Sequence, residues 1–325
     1  MLVQVKHLST SNSKRAMKKF LKHCGLFILP IVLSLIAIEL ITAQIPNSYS
    51  YKYNYIKTSG DKIQALAIGH SQLYDGFKPE SFFLPSFNLC NSAQNYVDNY
   101  YLLCELLHDM PNLKVVIMPI GYLNVDITRN DSSLTDRSCY YHKYMNIDYD
   151  GRVPLRYRLE CFDPMRAGSK IVQHYLRHSD IVGCDMMGRR NTHYLRDRKH
   201  KLGYENILEG YTRKENDYSK FCLRDEYYLV CAFKMLMERN ITIVLVSPPY
   251  YWNCGFKRVN EGQRRFLSEY MKKLCKKYPS IHYLNLESDT SYVYDDFFNE
   301  THLSEIGAEK FTRRLSDYVK EFISE

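Results

Sequence analysis

The run IQALAIGHS, residues 63–71, is a short apolar segment that stops at Gly-His-Ser. A continuous apolar run of this length, ended by a turn residue, fits a strand buried on both faces. Three other runs have the same character: LKVVIMPI at 113–120, ITIVLVS at 241–247 and IHYLNL at 281–286. Ser86–Leu89 is a candidate fifth, shorter strand. Between them lie segments with helical spacing. Tyr96–Leu107 places Leu102, Leu103, Leu106 and Leu107 on one side, and helices are expected at about 225–239 and 257–277. Strands alternating with helices imply a parallel sheet covered on both faces, an α/β, three-layer, doubly wound architecture.

The chain closes on a segment in which Ala308, Phe311, Leu315, Tyr318, Val319 and Phe322 recur at helical spacing behind Ser304, a plausible N-cap. His302 therefore falls in the loop before a terminal amphipathic helix. In a doubly wound sheet, ligands meet the chain at the carboxyl ends of strands. Ser71 follows the first strand, where Gly69 permits a sharp turn. It is a candidate nucleophile, and equally a candidate cap for the helix after it. A serine hydroxyl is a weak nucleophile at neutral pH and needs a base. A His with an acid or amide three residues earlier, as in DDFFNETHLSEIGA at 295–308, is such a base with its orienting partner.

Three blocks resemble the SGNH/GDSL hydrolase superfamily, and most closely its membrane-anchored bacterial branch, which includes the D-alanyl-lipoteichoic-acid transfer protein and the alginate O-acetylation proteins. IGHSQLYDGFKPESF at 68–82 resembles the block that carries the nucleophile. FNLCNSAQNY at 87–96 resembles the block with an oxyanion donor, and FFNETHLSEIGAEKF at 297–311 the block that supplies the base. VSPPYY at 246–251 matches a strand end common in that branch. The resemblance implies Ser71 as nucleophile, His302 as general base, and the Ser71 and Ala93 backbone N–H groups as oxyanion donors. It implies no cofactor and no metal. It also implies serine-dependent transfer or removal of an acyl group, such as acetyl, on a cell-envelope polysaccharide. A membrane-bound O-acyltransferase is the implied partner.

The chain departs from the family pattern in three places. The acid three residues before His302 is Asn299, so Asp295 or Asp296 is an alternative acid, or the site runs as a Ser–His dyad. Ala93 replaces a Gly. The third block survives only as GYLNVD at 121–126, with Asn124 as a weak oxyanion donor. An inactive glycan-binding or scaffold protein on the same fold is the competing expectation.

Working outward, Gly25–Ile45 carries one charge, Glu39, and is long enough to cross the ~30 Å hydrocarbon core as a helix. Residues 1–24 hold Lys6, Lys14, Arg15, Lys18, Lys19 and Lys22 and no acid, leaving +2 of the net +8 for the rest of the chain. The basic balance is therefore an orientation signal and not a nucleic-acid face. It places the N-terminus in the cytoplasm of a single-pass inner-membrane protein, with the main domain periplasmic. A cleaved signal peptide shares this order, although its apolar run is usually only about 7–15 residues. The expected organisation is a basic tail at 1–24, an anchor at 25–45, a Tyr-rich tether at 46–60, and an α/β domain at 61–325. Only 25 residues then separate Ile45 from Ser71. The stretch 127–220 lacks strand-like runs and is expected to be an inserted lid or substrate-binding subdomain. Its Tyr and Arg content suits sugar stacking or simple packing equally. His174 and His178 are spaced as a metal pair but have no clear third ligand. The ten cysteines form no CxxC pair, and Cys90, Cys104 and Cys231 sit in apolar patterns that predict buried thiols.

Overall fold

In a computed structural model, the described residues are 10–126, 137–154, 158–179, 182–191, 217–251 and 260–323. The chain divides into two compact units, 1–46 with 154–181, and 47–153 with 182–325.

The larger unit holds the sheet. Helix α1, in the smaller unit, spans Thr10–Ala43, and α2 spans Ser48–Ser59. Strand β1 (Ala65–Ala67) leads into α3 (Ser71–Gly76), then β2 (Ser86–Asn88), α4 (Tyr96–Leu106) and β3 (Val115–Pro119). A two-stranded antiparallel ribbon pairs β4 (Val125–Asp126) with β5 (Cys222–Leu223), with α5 (Ser138–Met145) and α6 (Pro164–Ile171) between them in sequence. The remaining elements are α7 (Glu226–Glu238), β6 (Thr242–Ser247), α8 (Glu261–Lys277), β7 (Ile281–Asn285), the hairpin β8 (Phe297–Asn299) and β9 (His302–Leu303), and α9 (Glu305–Lys320). The main sheet is parallel throughout, in the order β2-β1-β3-β6-β7. Its strands fall on the five runs expected; the inner strands β1, β3 and β6 are apolar almost throughout because both faces are covered, while the edge strands β2 and β7 carry polar residues and β7 is partly exposed.

Side chains alternate between the faces. Ala65, Ala67, Val115, Ile117, Val244 and Val246 share a core with Leu73 and Phe77 of α3 and with Phe311, Leu315 and Val319 of α9. Leu66, Val116 and Leu245 point the other way and are equally buried. On that side α4 and α7 pack on each other and α7 on β6, burying Leu102, Leu106, Phe233 and Leu236. α9 fits closely because residue 307 is glycine: a Cβ there would lie 1.9 Å from the Asp296 carbonyl oxygen.

Two expectations change. The Tyr-rich stretch 46–60 is not a loose tether. Asn47 caps α2 by accepting from Tyr49 N and Ser50 N, and Lys52 and Ile56 are buried. Its helical signal is masked in the sequence because, apart from Ile56, the packed face is formed by tyrosines and one lysine and not by aliphatics. Tyr55 stacks on Phe87 at 4.4 Å, and the Lys52 ammonium sits 4.1 Å over the Tyr74 ring. The stretch 127–220 is not one subdomain. Its described parts split, with 137–153 and 182–191 joining the sheet unit and 158–179 joining α1; residues 127–136 and 192–216 lie outside the described residues. Cys90 is buried as expected, whereas Cys104 on α4 is exposed.

Candidate active site

Ser71, Ala93, Asn124, Asn299 and His302 meet at the carboxyl end of the sheet. Gly69 makes the turn out of β1 at φ +149°, where a Cβ would fall 2.3 Å from Pro119 Cδ. Only glycine fits both the angle and the space. His70 caps α3, its Nδ1 accepting from Gln72 N at 3.4 Å. Ser71 is thereby the first residue of α3. Burial and the nearby His302 push the His70 pKa down to about 4, so its ring is neutral when the protein is folded near neutral pH.

The base arrives from the opposite end of the chain. The tight β8–β9 hairpin presents His302, and α9 begins directly after it, Ser304 accepting from Gly307 N at 3.3 Å. Gln72 Nε2 donates to the Thr301 carbonyl at 3.2 Å, tying α3 to this hairpin. His302 Nε2 and Ser71 Oγ are 2.8 Å apart. On the far side of the ring, Nδ1 is 3.0 Å from Asn299 Oδ1 and 2.9 Å from Thr301 Oγ1. Asn299 Oδ1 also accepts from the His302 and Thr301 backbone N–H groups at 2.9 and 3.0 Å. An amide oxygen accepting the Nδ1 proton leaves Nε2 with its lone pair facing the serine.

The alternative acid is not at the site. Asp296 accepts from Val293 N at 2.9 Å and pairs with Lys310 at 3.0 Å, so its carboxylate is committed to the base of α9. A carboxylate that the sequence reading missed lies closer. Asp75, one turn after Ser71 on α3, has Oδ2 4.0 Å from His302 Nε2. Its side chain is 5% exposed and pairs with Arg190 at 2.5 Å, and Arg190 also donates to Ser92 Oγ at 2.6 Å. The adjacent Arg189 donates to the Asp75 carbonyl at 2.9 Å and pairs with Glu305 at 2.7 Å. Burial lowers the His302 pKa most strongly; Asp75 pulls it back up, and Arg190 pushes it further down. The carboxylate at i+4 from Ser71 was visible as a helical neighbour, but nothing in the sequence linked it to residue 190.

Ser71, His70, Ala93, Asn124, Arg224, Asp225 and His302 are among the residues that line a cleft of about 270 Å³. Ala93 has φ +54°, a left-handed conformation that glycine adopts without strain. The backbone therefore keeps the turn that a glycine at this position would serve. Asn124 lies in a helical turn after β3, its Oδ1 accepting from Gly121 N at 2.9 Å. Behind it, Glu287 accepts from Tyr122 N at 3.4 Å. Among the described residues no group of three His, Cys, Asp or Glu side chains is placed to hold a metal ion. His174 lies in a π-helical turn and His178 beyond it at φ +48°, so the two do not share a regular helix face.

No family model and no curated protein matches this chain. Among solved structures, a GDSL-like lipase from Bacteroides thetaiotaomicron VPI-5482 is similar at 8% identity and a TM-score of 0.39, covering 84% of this chain and 100% of its own. A Streptococcus pneumonia protein, described provisionally as a platelet activating factor, is similar at 13% identity and a TM-score of 0.38, covering 90% and 98%. Likenesses this loose carry no argument about chemistry; the site rests on its own residues.

Proposed function

We propose that this chain is an SGNH/GDSL-type serine acyl transferase or esterase, anchored in the inner membrane by α1, with its sheet unit on the periplasmic side. The observation that carries this reading is the Ser71–His302–Asn299 relay, contiguous at 2.8 and 3.0 Å across a cleft floored by Ser71. Ser71 Oγ attacks the acyl carbonyl carbon while His302 Nε2 takes the hydroxyl proton. The oxyanion forms against the Ser71 and Ala93 N–H groups, with Asn124 as a further donor. The intermediate collapses, the departing alkoxide takes the proton back from the imidazolium, and the acyl group stays on Ser71. Water or a sugar hydroxyl then attacks the acyl-enzyme, with His302 as base, and Ser71 is restored. The acyl group is proposed to be acetyl and the acceptor an envelope polysaccharide, with a membrane-bound O-acyltransferase as the donor-side partner. The reading involves no cofactor and no nucleic acid.

Asn299 orients the imidazole but gives it no charge when it becomes imidazolium. Asp75 supplies a buried carboxylate on the serine side instead. At 4 Å and an effective dielectric of about 20 such a charge is worth roughly 4 kcal/mol, which Arg190 partly offsets. Asp75 thus acts as an electrostatic positioning residue for the base.

The test is hydrolysis of an acetyl ester by the purified full chain, expected to be present in the parent and lost in Ser71→Ala. An absence of turnover in the parent, together with glycan binding unchanged in Ser71→Ala, favours the second reading. That reading is a glycan-binding or scaffold protein on the same fold, and the amide at position 299 is the observation on its side.

A further inference from the structure

We infer that residues 159–176 lie in the plane of the outer membrane surface, with their apolar stripe seated in lipid beside α1. This rests on the proposal that α1 spans the bilayer, and it concerns a surface separate from the catalytic cleft.

The segment and α1 form one compact unit, and both the turn at Glu160–Phe162 and α6 pack directly on α1. The depth of that contact is readable. Glu39 lies four residues before the end of α1 at Ala43, about 6 Å along a helix axis. Its Oε2 accepts from Cys161 N at 3.1 Å. The one acid in the apolar run is therefore met by this segment at the outer edge of the span, where a charged group in lipid needs a partner. Ala167 and Cys161 are buried, which fixes the inward face.

The outward face is apolar. Leu159, Phe162, Met165, Val172, Tyr175 and Leu176 are all exposed, Met165 at 86% and Leu176 at 73%. Residues 165, 172 and 176 follow helical spacing along α6 and the π-helical turn Val172–Leu176 that continues it, and Phe162 lies in the turn just before α6. Leu33, Ile36 and Leu40 of α1, in the same compact unit, are exposed and apolar as well. In water, so much adjoining apolar surface would be a liability. Arg158, Arg166, Lys170 and Arg177 flank the stripe, and Lys170 is tied to Glu160 at 3.1 Å. Cations beside an apolar stripe suit the headgroup layer of an anionic leaflet, with the stripe below it among the acyl chains. Lipid is the occupant this geometry favours, because the segment packs on α1, the helix long and apolar enough to cross the bilayer, and meets Glu39 near the end of its apolar run.

Depth-dependent quenching in the full chain tests this. Trp252, the single Trp of the chain, is changed to Phe. Met165→Trp and Leu33→Trp are then made separately and reconstituted into phosphatidylcholine–phosphatidylglycerol vesicles brominated either near the headgroup end of the acyl chain or deep within it. For Met165→Trp the expected result is blue-shifted emission, quenched about twofold or more by shallow bromines and less by deep ones. Leu33→Trp should be quenched best by deep bromines. Deep quenching of Leu33→Trp with a red-shifted Met165→Trp, reached by aqueous iodide, overturns the inference while leaving the anchor intact, and assigns the stripe to a protein partner. Failure of both to sense lipid removes the spanning reading and this inference with it.

Discussion

At the scale of single residues, the site is a serine–histidine pair in which an amide stands where the matching block carries an acid. In one well-studied triad the Asp-to-Asn change costs about 10⁴ in kcat. Asn299 is engaged only through Oδ1, to His302 and Thr301, so a carboxylate accepts the same hydrogen bonds. Asn299→Asp should therefore raise kcat for an acetyl ester by about tenfold or more, near 1.4 kcal/mol per decade. Asp75→Asn should act in the opposite direction and on the pH profile. Besides Asp75, Arg190 is the charge that shifts His302, His70 lies beside it, and Arg224 and Asp225 share its cleft. Removing the carboxylate lowers the imidazole pKa further, so the acid limb of kcat/KM moves to lower pH while kcat falls by about tenfold; an unmoved limb would deny Asp75 this role. Ala93 makes a separate prediction. Its φ of +54° strains an L-residue by roughly 1 kcal/mol, so Ala93→Gly should relieve about that much if the gain exceeds glycine's added unfolded-state entropy. Urea unfolding midpoints read the balance. Asn299 and His302 stood out as a pair three residues apart before a helix, and Ser71 as the hydroxyl after a strand that ends in glycine; the structure brings them within hydrogen-bonding distance. Asp75 did not stand out, because its significance depends on Arg190, which lies 115 residues away.

At the scale of elements, the strands were legible because sheets covered on both faces demand continuous apolar runs, and α4 and α9 because their apolar spacing is regular. α2 was not: its buried face is built from Lys52, Ile56 and tyrosines, which read as polar. The loop after β3 shows how elements carry the site. Glu287, at the end of β7, supports the Tyr122–Asn124 turn from a buried position, and burial raises its pKa to about 7. Between pH 4.5 and 7 the folded protein holds a proton that the unfolded chain releases, so stability falls as pH rises through that window. At about 1.4 kcal/mol per unit the full effect is of order 3–4 kcal/mol. Glu287→Gln should therefore gain about 1–2 kcal/mol over the parent at pH 8 and nothing at pH 4. Thermal unfolding at the two pH values checks it, and an equal gain at both would contradict the assignment.

At the scale of the whole molecule, the chain joins a lipid-type helix and a sheet unit that gathers residues 69–75, 93, 190 and 299–302 at one sheet end. The basic tail and apolar run were plain in composition. That 158–179 belongs with α1 was not, since its apolar residues are interspersed with Arg158, Arg166, Lys170 and Arg177. The insertion's contact with α3 was equally hidden: Arg189 donates to the Asp75 carbonyl and Arg190 pairs with the Asp75 carboxylate. If this assembly makes Ser71 a nucleophile through His302, a fluorophosphonate probe should label the intact chain at Ser71. One adduct is expected, lost in Ser71→Ala and reduced at least about a hundredfold in His302→Ala, within the range of general-base catalysis. No adduct on Ser71 in the folded parent, or labelling indifferent to His302, would contradict it.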